Sequence, residues 1–263
     1  MNSFINNIMP FEILINFFYF PDNISILSIV SIILTSFVSS LISSIIGFGG
    51  GMLLLGVLAL NFSGSVIIPL HAVIQLGSNF NRLIFFKFKV KWGVIFPFSL
   101  GCLIGVPLGG IFSLSINENL IKVLIAIFIL LNTFSKIPTL NQNRLFLIGS
   151  ISSFLSTIIG VTGSLISSVI QSYKLEKSEY ISSCAFLLLT QHFFKCILFG
   201  LIGFAFKDYF FLVTLVIISG IFGTIIGKFL IYRIPDSYLV RLIKLILIVI
   251  SLNLLINGIN NII

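Results

Sequence analysis

The fold is decided by residues 39–55, which read SSLISSIIGFGGGMLLL. The stretch is apolar enough to lie inside a membrane, yet its centre is the run Gly47-Phe-Gly-Gly-Gly51. Glycine in a helix interior costs about 0.5–1 kcal/mol relative to alanine, so three glycines in a row predict a break in the helix. A break at membrane depth is tolerated only where the backbone faces other protein or a watery cavity.

A break of this kind can bind a ligand. The free N–H groups at the start of the second half-helix attract negative charge, so Gly49, Gly50 and Gly51 are candidate contacts for an anion. The alternative is that these glycines only let neighbouring helices pack closely. A nucleotide-binding loop is excluded, because no Lys-Ser/Thr pair follows the glycines and no strand is expected before them.

The rest of the chain indicates an all-α integral membrane protein. Of its 263 residues, 58% are apolar and only 8% are charged. Crossing a bilayer takes about 20 apolar residues. Stretches of about that length or longer without any charged residue occur at 23–81, 92–117, 145–173, 209–227 and 245–263. We expect a multi-pass protein of the cell (inner or plasma) membrane, in contact with lipid.

Several other classes of protein do not fit. The net charge of +8 does not indicate nucleic-acid binding, because the basic residues lie in short connections between apolar runs. An enzyme is not expected, since two scattered histidines without carboxylates at depth make no catalytic or metal-binding set. No cofactor is predicted, and the sequence leaves the oligomeric state open.

A second copy of the broken segment follows 113 residues later. Residues 152–168 read SSFLSTIIGVTGSLISS and match residues 39–55 at seven of seventeen positions. Gly160 and Gly163 are among the matches, so both are added to the candidate anion contacts. Further matches in the same order divide the chain into an interfacial segment (1–23), a first transmembrane repeat (24–137), a linker (138–143) and a second repeat (144–263).

Each predicted repeat also contains a ladder of small residues. Small side chains at every fourth position allow two helices to touch closely, so we assign the ladders to packing. They are Gly101, Gly105 and Gly109 in the first repeat and Ser219, Gly223 and Gly227 in the second.

The distribution of charge decides between parallel and inverted repeats. Four full spans per repeat divide the basic loop residues seven against seven, and this eight-span arrangement with parallel repeats is the rival. If each glycine-broken segment is a hairpin with arms of about 14 residues, too short to span, three spans remain per repeat. The division is then twelve against two, as expected when basic residues collect on the cytoplasmic side. We therefore predict inverted repeats, each with a glycine-broken hairpin and three transmembrane helices.

Polar residues mark one face of the span that follows each break. In the first repeat they are His71, Gln75, Asn79 and Arg82. At about 100° per residue these positions cover an arc of only about 80°. The matching face of the second repeat carries His192 and Lys195. We predict that all six side chains contact the substrate.

Lys195 is the charged residue of greatest interest, because it interrupts an apolar run. A lysine near the centre of a membrane helix costs about 2.5–3.5 kcal/mol and usually faces a partner or a cavity. Two alternatives stay open. Lys195 and Arg82 can instead extend to the membrane interface, and His71 and His192 can serve only in packing.

The sign of the substrate follows from the acidic residues. None of the seven lies in the middle of an apolar run. Transport of cations usually requires a carboxylate at depth, whereas an anion brings the negative charge itself. The sequence therefore predicts a small anionic substrate, with a proton or a sodium ion as the candidate coupling ion.

At these residues the sequence resembles the sulfite exporter TauE/SafE family of membrane proteins. The similarity rests on Gly47–Gly51 after a first apolar segment, on the span that ends in Asn79–Arg82, and on Trp92 with the ladder that follows it. The resemblance implies export, or in some members uptake, of sulfite, sulfonates and related anions. We thus expect a secondary transporter that exports such anions. The alternative is a membrane-embedded assembly or chaperone subunit that transports nothing.

Overall fold

The computed structural model describes residue 20, residues 24–135 and residues 140–260, with only the backbone of Gln142. The predicted interfacial segment 1–23 therefore lies outside the described residues, apart from Phe20. Within the described part the chain forms ten α-helices and no β-strand. In chain order, α1 to α10 are Ile26–Ile46, Gly50–Asn61, Gly64–Phe85, Ile95–Leu114, Glu118–Phe134, Leu145–Ile159, Gly163–Gln171, Lys177–Leu201, Phe210–Leu230 and Asp236–Asn260.

Five helices are long and apolar enough to cross a membrane, namely α1, α4, α8, α9 and α10. The shorter helices α2 and α6 are apolar as well. Large apolar side chains cover the outside of the bundle: Leu27 is 79% exposed, and Phe96 and Phe229 are each 72% exposed. A surface of this kind is stable against hydrocarbon rather than water, which confirms the prediction of a multi-pass membrane protein.

Both glycine-broken segments are helical hairpins. α1 ends at Gly47, whose φ of 92° suits glycine, and its N–H bonds to the carbonyl of Ser43 at 2.9 Å. α2 then starts at Gly50, which lies against the backbone of Ser39 in α1, so the chain has reversed direction. The first hairpin has arms of 21 and 12 residues. The predicted arm of about 14 residues is too short for α1, because nothing between the Ser25 cap and Gly47 interrupts the helix.

The second hairpin repeats this arrangement with shorter arms of 15 and 9 residues. α6 ends at Gly160, with a φ of 89° and an N–H bond to the carbonyl of Ser156 at 2.9 Å. Thr162 then occupies the position before α7, and its hydroxyl donates a hydrogen bond to the carbonyl of Ser152 at 3.2 Å. Because Ser152 lies two turns back in α6, the chain has folded back on itself here as well.

The ladders of small residues let one helix pack closely against another, α4 against α6 and α9 against α1. In α4, Gly101 and Gly105 lie so close to the backbone of α6 that an added methyl group would collide with carbonyl oxygens there. In α9, Gly223 approaches the backbone of α1 in the same way, and Ser219 donates to the carbonyl of Ile33 at 2.7 Å. The packing role predicted for the ladders is confirmed.

The loops that meet at each end of the bundle distinguish the two predicted topologies. At one end a cleft of about 320 Å³ is lined by Lys87, Lys89, Ser178 and Lys228 among others. The connection between α3 and α4 and the connection between α7 and α8 therefore meet at the same end, as the three-span arrangement predicts. The eight-span rival puts these two connections at opposite ends and does not fit this cleft.

Candidate anion-binding centre

The polar face of α3 lies inside the bundle. The exposed fraction is 0% for His71 and Asn79, 4% for Gln75 and 1% for Arg82. The alternative that Arg82 extends to the membrane interface is therefore wrong. His71 bonds through Nε2 to the carbonyl of Gly51 at 3.0 Å, and Arg82 donates through Nη1 to the carbonyl of Gly47 at 3.4 Å. The face thus contacts both sides of the first break.

The matching face of α8 contacts the second break. Lys195 is fully buried, so interfacial placement is wrong for this residue too. Its Nζ donates to the Ser156 carbonyl at 2.9 Å, to the Ser156 hydroxyl at 3.1 Å and to the Gly160 carbonyl at 3.0 Å. These acceptors form the C-terminal end of α6, where the helix dipole is negative. Part of the charge on Lys195 is therefore balanced by the helix end.

Neither cation has a carboxylate partner among the described residues. The ion pair in that part of the chain joins Lys177 and Asp236 at 2.7 Å, and both side chains are partly exposed. Helix ends carry only about half a unit charge, so they do not neutralise Arg82 and Lys195 completely. The centre is therefore electropositive.

The two histidines meet where α3 and α8 pack together. The ring centroids of His71 and His192 are 5.5 Å apart, with the rings at 70°. Both rings are buried, and the Nδ1 atom of each has no hydrogen-bond partner. Sequence reasoning placed each histidine on the correct face, but it did not predict that the rings touch.

The five candidate glycines have different surroundings in the structure. Gly50 is a packing position, because an added methyl group would collide with the carbonyl of Ser39 rather than fill a cavity. Gly49 has a φ of 93°, which favours glycine, and a Cβ atom on it would lie 3.9 Å from Ile243. Gly51 lies under the side-chain amide of Gln75, which is 3.5 Å from the place that a Cβ atom on Gly51 would occupy. Gly49 and Gly51 thus have room for a methyl group, whereas Gly50 does not.

In the second break, Gly160 has a φ of 89° and is covered by Leu55 of α2. Gly163 has free space, and its nearest neighbour is Phe48 of the first break. The two breaks therefore touch each other, which brings the starts of α2 and α7 into one region of the bundle.

Unpaired polar atoms occur on the predicted face of α3 and on two other helices. Asn79 Oδ1 and Arg82 Nε of α3 are buried without a hydrogen-bond partner, and so are Ser44 Oγ of α1 and Thr224 Oγ1 of α9. Buried polar atoms in folded proteins nearly always have a partner, so a group of this kind indicates room for water or a ligand. Ser44 and Thr224 carried no signal in the sequence, since serine and threonine are common in membrane helices.

Two cavities approach the centre from opposite ends. A small one, about 60 Å³, has Phe48, Gly49, Asn132 and Lys244 in its wall. Asn132 and Lys244 belong to α5 and α10, which sequence reasoning did not connect with the first break. Asn132 could have been noticed as a polar residue near the end of an apolar run.

The larger cavity, which we call the vestibule, has a volume of about 380 Å³. Its wall includes Ile68, Thr157 and Phe199. Ile68 lies one turn from His71 on α3, and Phe199 lies one turn from Lys195 on α8. The wall of the vestibule therefore lies one helical turn from residues of the electropositive centre.

Comparison with known proteins identifies a family. A family model described as "Sulfite exporter TauE/SafE" matches residues 32–254, which include both breaks and both polar faces. No curated protein and no solved structure matches the chain.

Proposed function

The chain belongs to the sulfite exporter TauE/SafE family, a family of membrane transporters of sulfur-containing anions and not of enzymes. On that premise we propose that it is a secondary transporter that exports a small sulfur-containing or organic anion, such as sulfite or a sulfonate, across the inner membrane. The observation that carries the proposal is the meeting of two helix breaks at a buried, electropositive centre.

The substrate would complete the charge of this centre. A buried, unneutralised cation costs several kcal/mol, and a bound anion would remove much of that cost. Arg82 is the best placed donor, because its Nε is buried and unpaired. We propose that the anion lies near Arg82, Asn79 and the start of α2 at Gly49 and Gly51. Gln75, His71, His192 and Lys195 would surround it, and Gly160 and Gly163 would shape the opposite wall.

Two inverted copies would supply the alternating access that transport requires. Matched contacts support this arrangement. Gly105 of α4 lies against the carbonyl of Ser150, and Gly223 of α9 lies against the carbonyl of Phe37. Phe37 and Ser150 are 113 positions apart, the same separation that relates the two glycine breaks.

The basic residues at the breaks correspond in the same way. Arg82 bonds to Gly47, and Lys195 bonds to Gly160. Each partner in the second pair lies 113 positions after its counterpart in the first. We propose that residues 24–137 and 144–263 are inverted repeats that move against each other around the centre.

The proposed topology puts the cleft at Lys87 and Ser178 in the cytoplasm and the vestibule outside. Single cysteines at Phe88 and Ser178 should resist an impermeant thiol reagent in whole cells, while a cysteine at Gly203 should react. The background lacks the three native cysteines. Labelling at Phe88 and Ser178 with protection at Gly203 would invert the proposed orientation.

A non-transporting assembly subunit is the second candidate, and the tight packing of Gly101 and Gly105 against α6 favours it. Flux measurements separate the two. Purified protein in proteoliposomes should move labelled sulfite or methanesulfonate faster than empty vesicles, and Arg82→Met should reduce the flux. A monodisperse protein that moves neither anion, nor acetate, would support the assembly function instead.

A further inference from the structure

We infer that the His71–His192 pair carries a proton together with the anion, so that the protein is a proton–anion symporter. The inference rests on the proposed transport function. It names the coupling ion as a proton, and it assigns that proton to the pair of rings between α3 and α8.

The protonation of His71 in its resting state follows from its partner. The carbonyl of Gly51 can only accept a hydrogen bond, so His71 must carry a hydrogen on Nε2. In the neutral ring Nδ1 then holds a free lone pair. Because Nδ1 is buried without a partner, this lone pair is available to take a proton. Nδ1 of His192 is also without a partner.

Burial and the charges around the pair decide when a proton can bind. The nearest are Lys195 and Arg82, both positive. Helices α1, α2, α6 and α7 contribute no titratable side chain at all. The other titratable side chains of α8 are Lys177, Glu179, Tyr180, Cys184 and Cys196, and α4 carries Cys102. The charged residues of α5, α9 and α10 are Glu118, Lys122, Lys228, Asp236, Arg241 and Lys244, and within the described chain none of them bonds to either ring.

A third positive charge beside Lys195 and Arg82 is unfavourable while the centre is empty. A bound anion reverses this balance, because it offsets one charge and lets a ring accept the proton. Binding of the anion and binding of the proton therefore assist each other, and by linkage the assistance is reciprocal. Two ligands that bind the same state cooperatively cross together, which makes the coupling a symport.

The vestibule approaches the pair from one end of the bundle. Ile68 in its wall lies one turn from His71 on the same face of α3. Phe199 in its wall lies about two turns from His192 on the same face of α8. During export, a proton taken up at the cytoplasmic end and released through the vestibule moves in the same direction as the anion, and no covalent bond is made or broken.

Methanesulfonate is a suitable probe, because a sulfonate stays ionised throughout the working range and cannot itself carry the proton. Wild-type protein is reconstituted in proteoliposomes with the membrane potential clamped and a pH-sensitive dye inside. An inward methanesulfonate gradient should acidify the interior. Lowering the external pH from about 8 to about 6, across the usual range for histidine, should increase the initial flux. Sulfite is tested in the same way.

The decisive variant is His71→Gln combined with His192→Gln. Glutamine keeps an N–H for the Gly51 carbonyl but cannot take up a proton at this depth. Its anion flux should fall, and the proton signal per anion should drop to that of empty vesicles. Phe193→Leu, on the hydrocarbon side of α8, is the matched control and should keep both signals.

Two results would overturn the inference while leaving the transport function intact. One is wild-type methanesulfonate flux without acidification, and the other is an unchanged proton signal per anion in the double variant. If the wild-type protein moves neither sulfite nor methanesulfonate, the proposed function fails first and the symport fails with it.

Discussion

The two helix breaks are built on the same plan but differ in how well their polar groups are satisfied. In the second break Lys195 makes three hydrogen bonds of 2.9–3.1 Å. The Thr162 hydroxyl lies 3.2 Å from both the Ser152 carbonyl and Gln191 Oε1, and it donates its one hydrogen to one or the other. In the first break Arg82 makes one long bond of 3.4 Å to Gly47 and leaves Nε unpaired.

This difference separates a structural role from a binding role. A buried cation with a full set of acceptors holds its helix end in place, as Lys195 does for α6. A buried cation with unpaired N–H groups is ready to bind something else, and Arg82 fits that description. Although Lys195 is the charge that interrupts an apolar run, Arg82 is therefore the better candidate for direct contact with the anion.

The largest expected effect on stability is at Lys195. Lys195→Met would remove three hydrogen bonds from a charged donor, while the Ser156 carbonyl keeps the Gly160 N–H and the Gly160 carbonyl keeps the Ser156 hydroxyl. A hydrogen bond to a charged group contributes about 1.5–3 kcal/mol, so the free energy of unfolding should fall by about 3 kcal/mol. Unfolding of purified protein in detergent measures this, with Lys195→Arg as the variant that keeps a donor. Unchanged stability in Lys195→Met would remove the structural role.

The next largest expected effect on stability is at Gly50, which begins α2. Its control is Gly163, which begins α7. Gly50→Ala pushes a methyl group into the backbone of α1 and should destabilise the protein by about 2 kcal/mol. Gly163→Ala has free space, with its nearest neighbour at 3.7 Å, and should change stability by less than about 0.5 kcal/mol. The same unfolding assay applies. Equal losses at both positions would mean that the two breaks are packed alike.

Arg82→Met should have a smaller effect that falls on transport rather than stability. Loss of the unpaired donor should weaken anion affinity at least about tenfold, which corresponds to about 1.4 kcal/mol. Stability should hold or rise, because a buried charge without a full set of partners is replaced by an apolar side chain. The measurement is the concentration dependence of flux beside an unfolding curve. A large stability loss with normal affinity would reverse the roles assigned to the two breaks.

Thr162→Val should have the smallest effect. The change removes the hydroxyl that bonds to Ser152 and Gln191 and keeps the shape of the side chain. One net hydrogen bond contributes about 1 kcal/mol, and the free energy of unfolding should fall by about that much. Thr162→Ser retains the hydroxyl and serves as the control in the unfolding assay. If both variants match the wild type, the second break does not depend on this hydroxyl.

Local chemistry made the membrane class, the helix breaks and the polar faces predictable from the sequence. Gly47 and Gly160 end helices because their backbone conformations suit glycine. The runs without charged residues indicate the membrane class directly. The face shared by His71 and Arg82 follows from helical periodicity alone. Family membership was predictable too, since the residues that carry the resemblance lie within the matched range.

What remained hidden depends on contacts between distant parts of the chain. Lys195 donates hydrogen bonds to Ser156 and Gly160, which lie 39 and 35 positions before it in the sequence. No local sequence pattern predicts those bonds. The touching rings of His71 and His192, and the packing role of Gly50, are likewise set by how helices cross. Sequence alone thus determined which residues are polar and where helices stop. Tertiary structure alone decided which polar atoms are satisfied, because that depends on partners brought together only by packing.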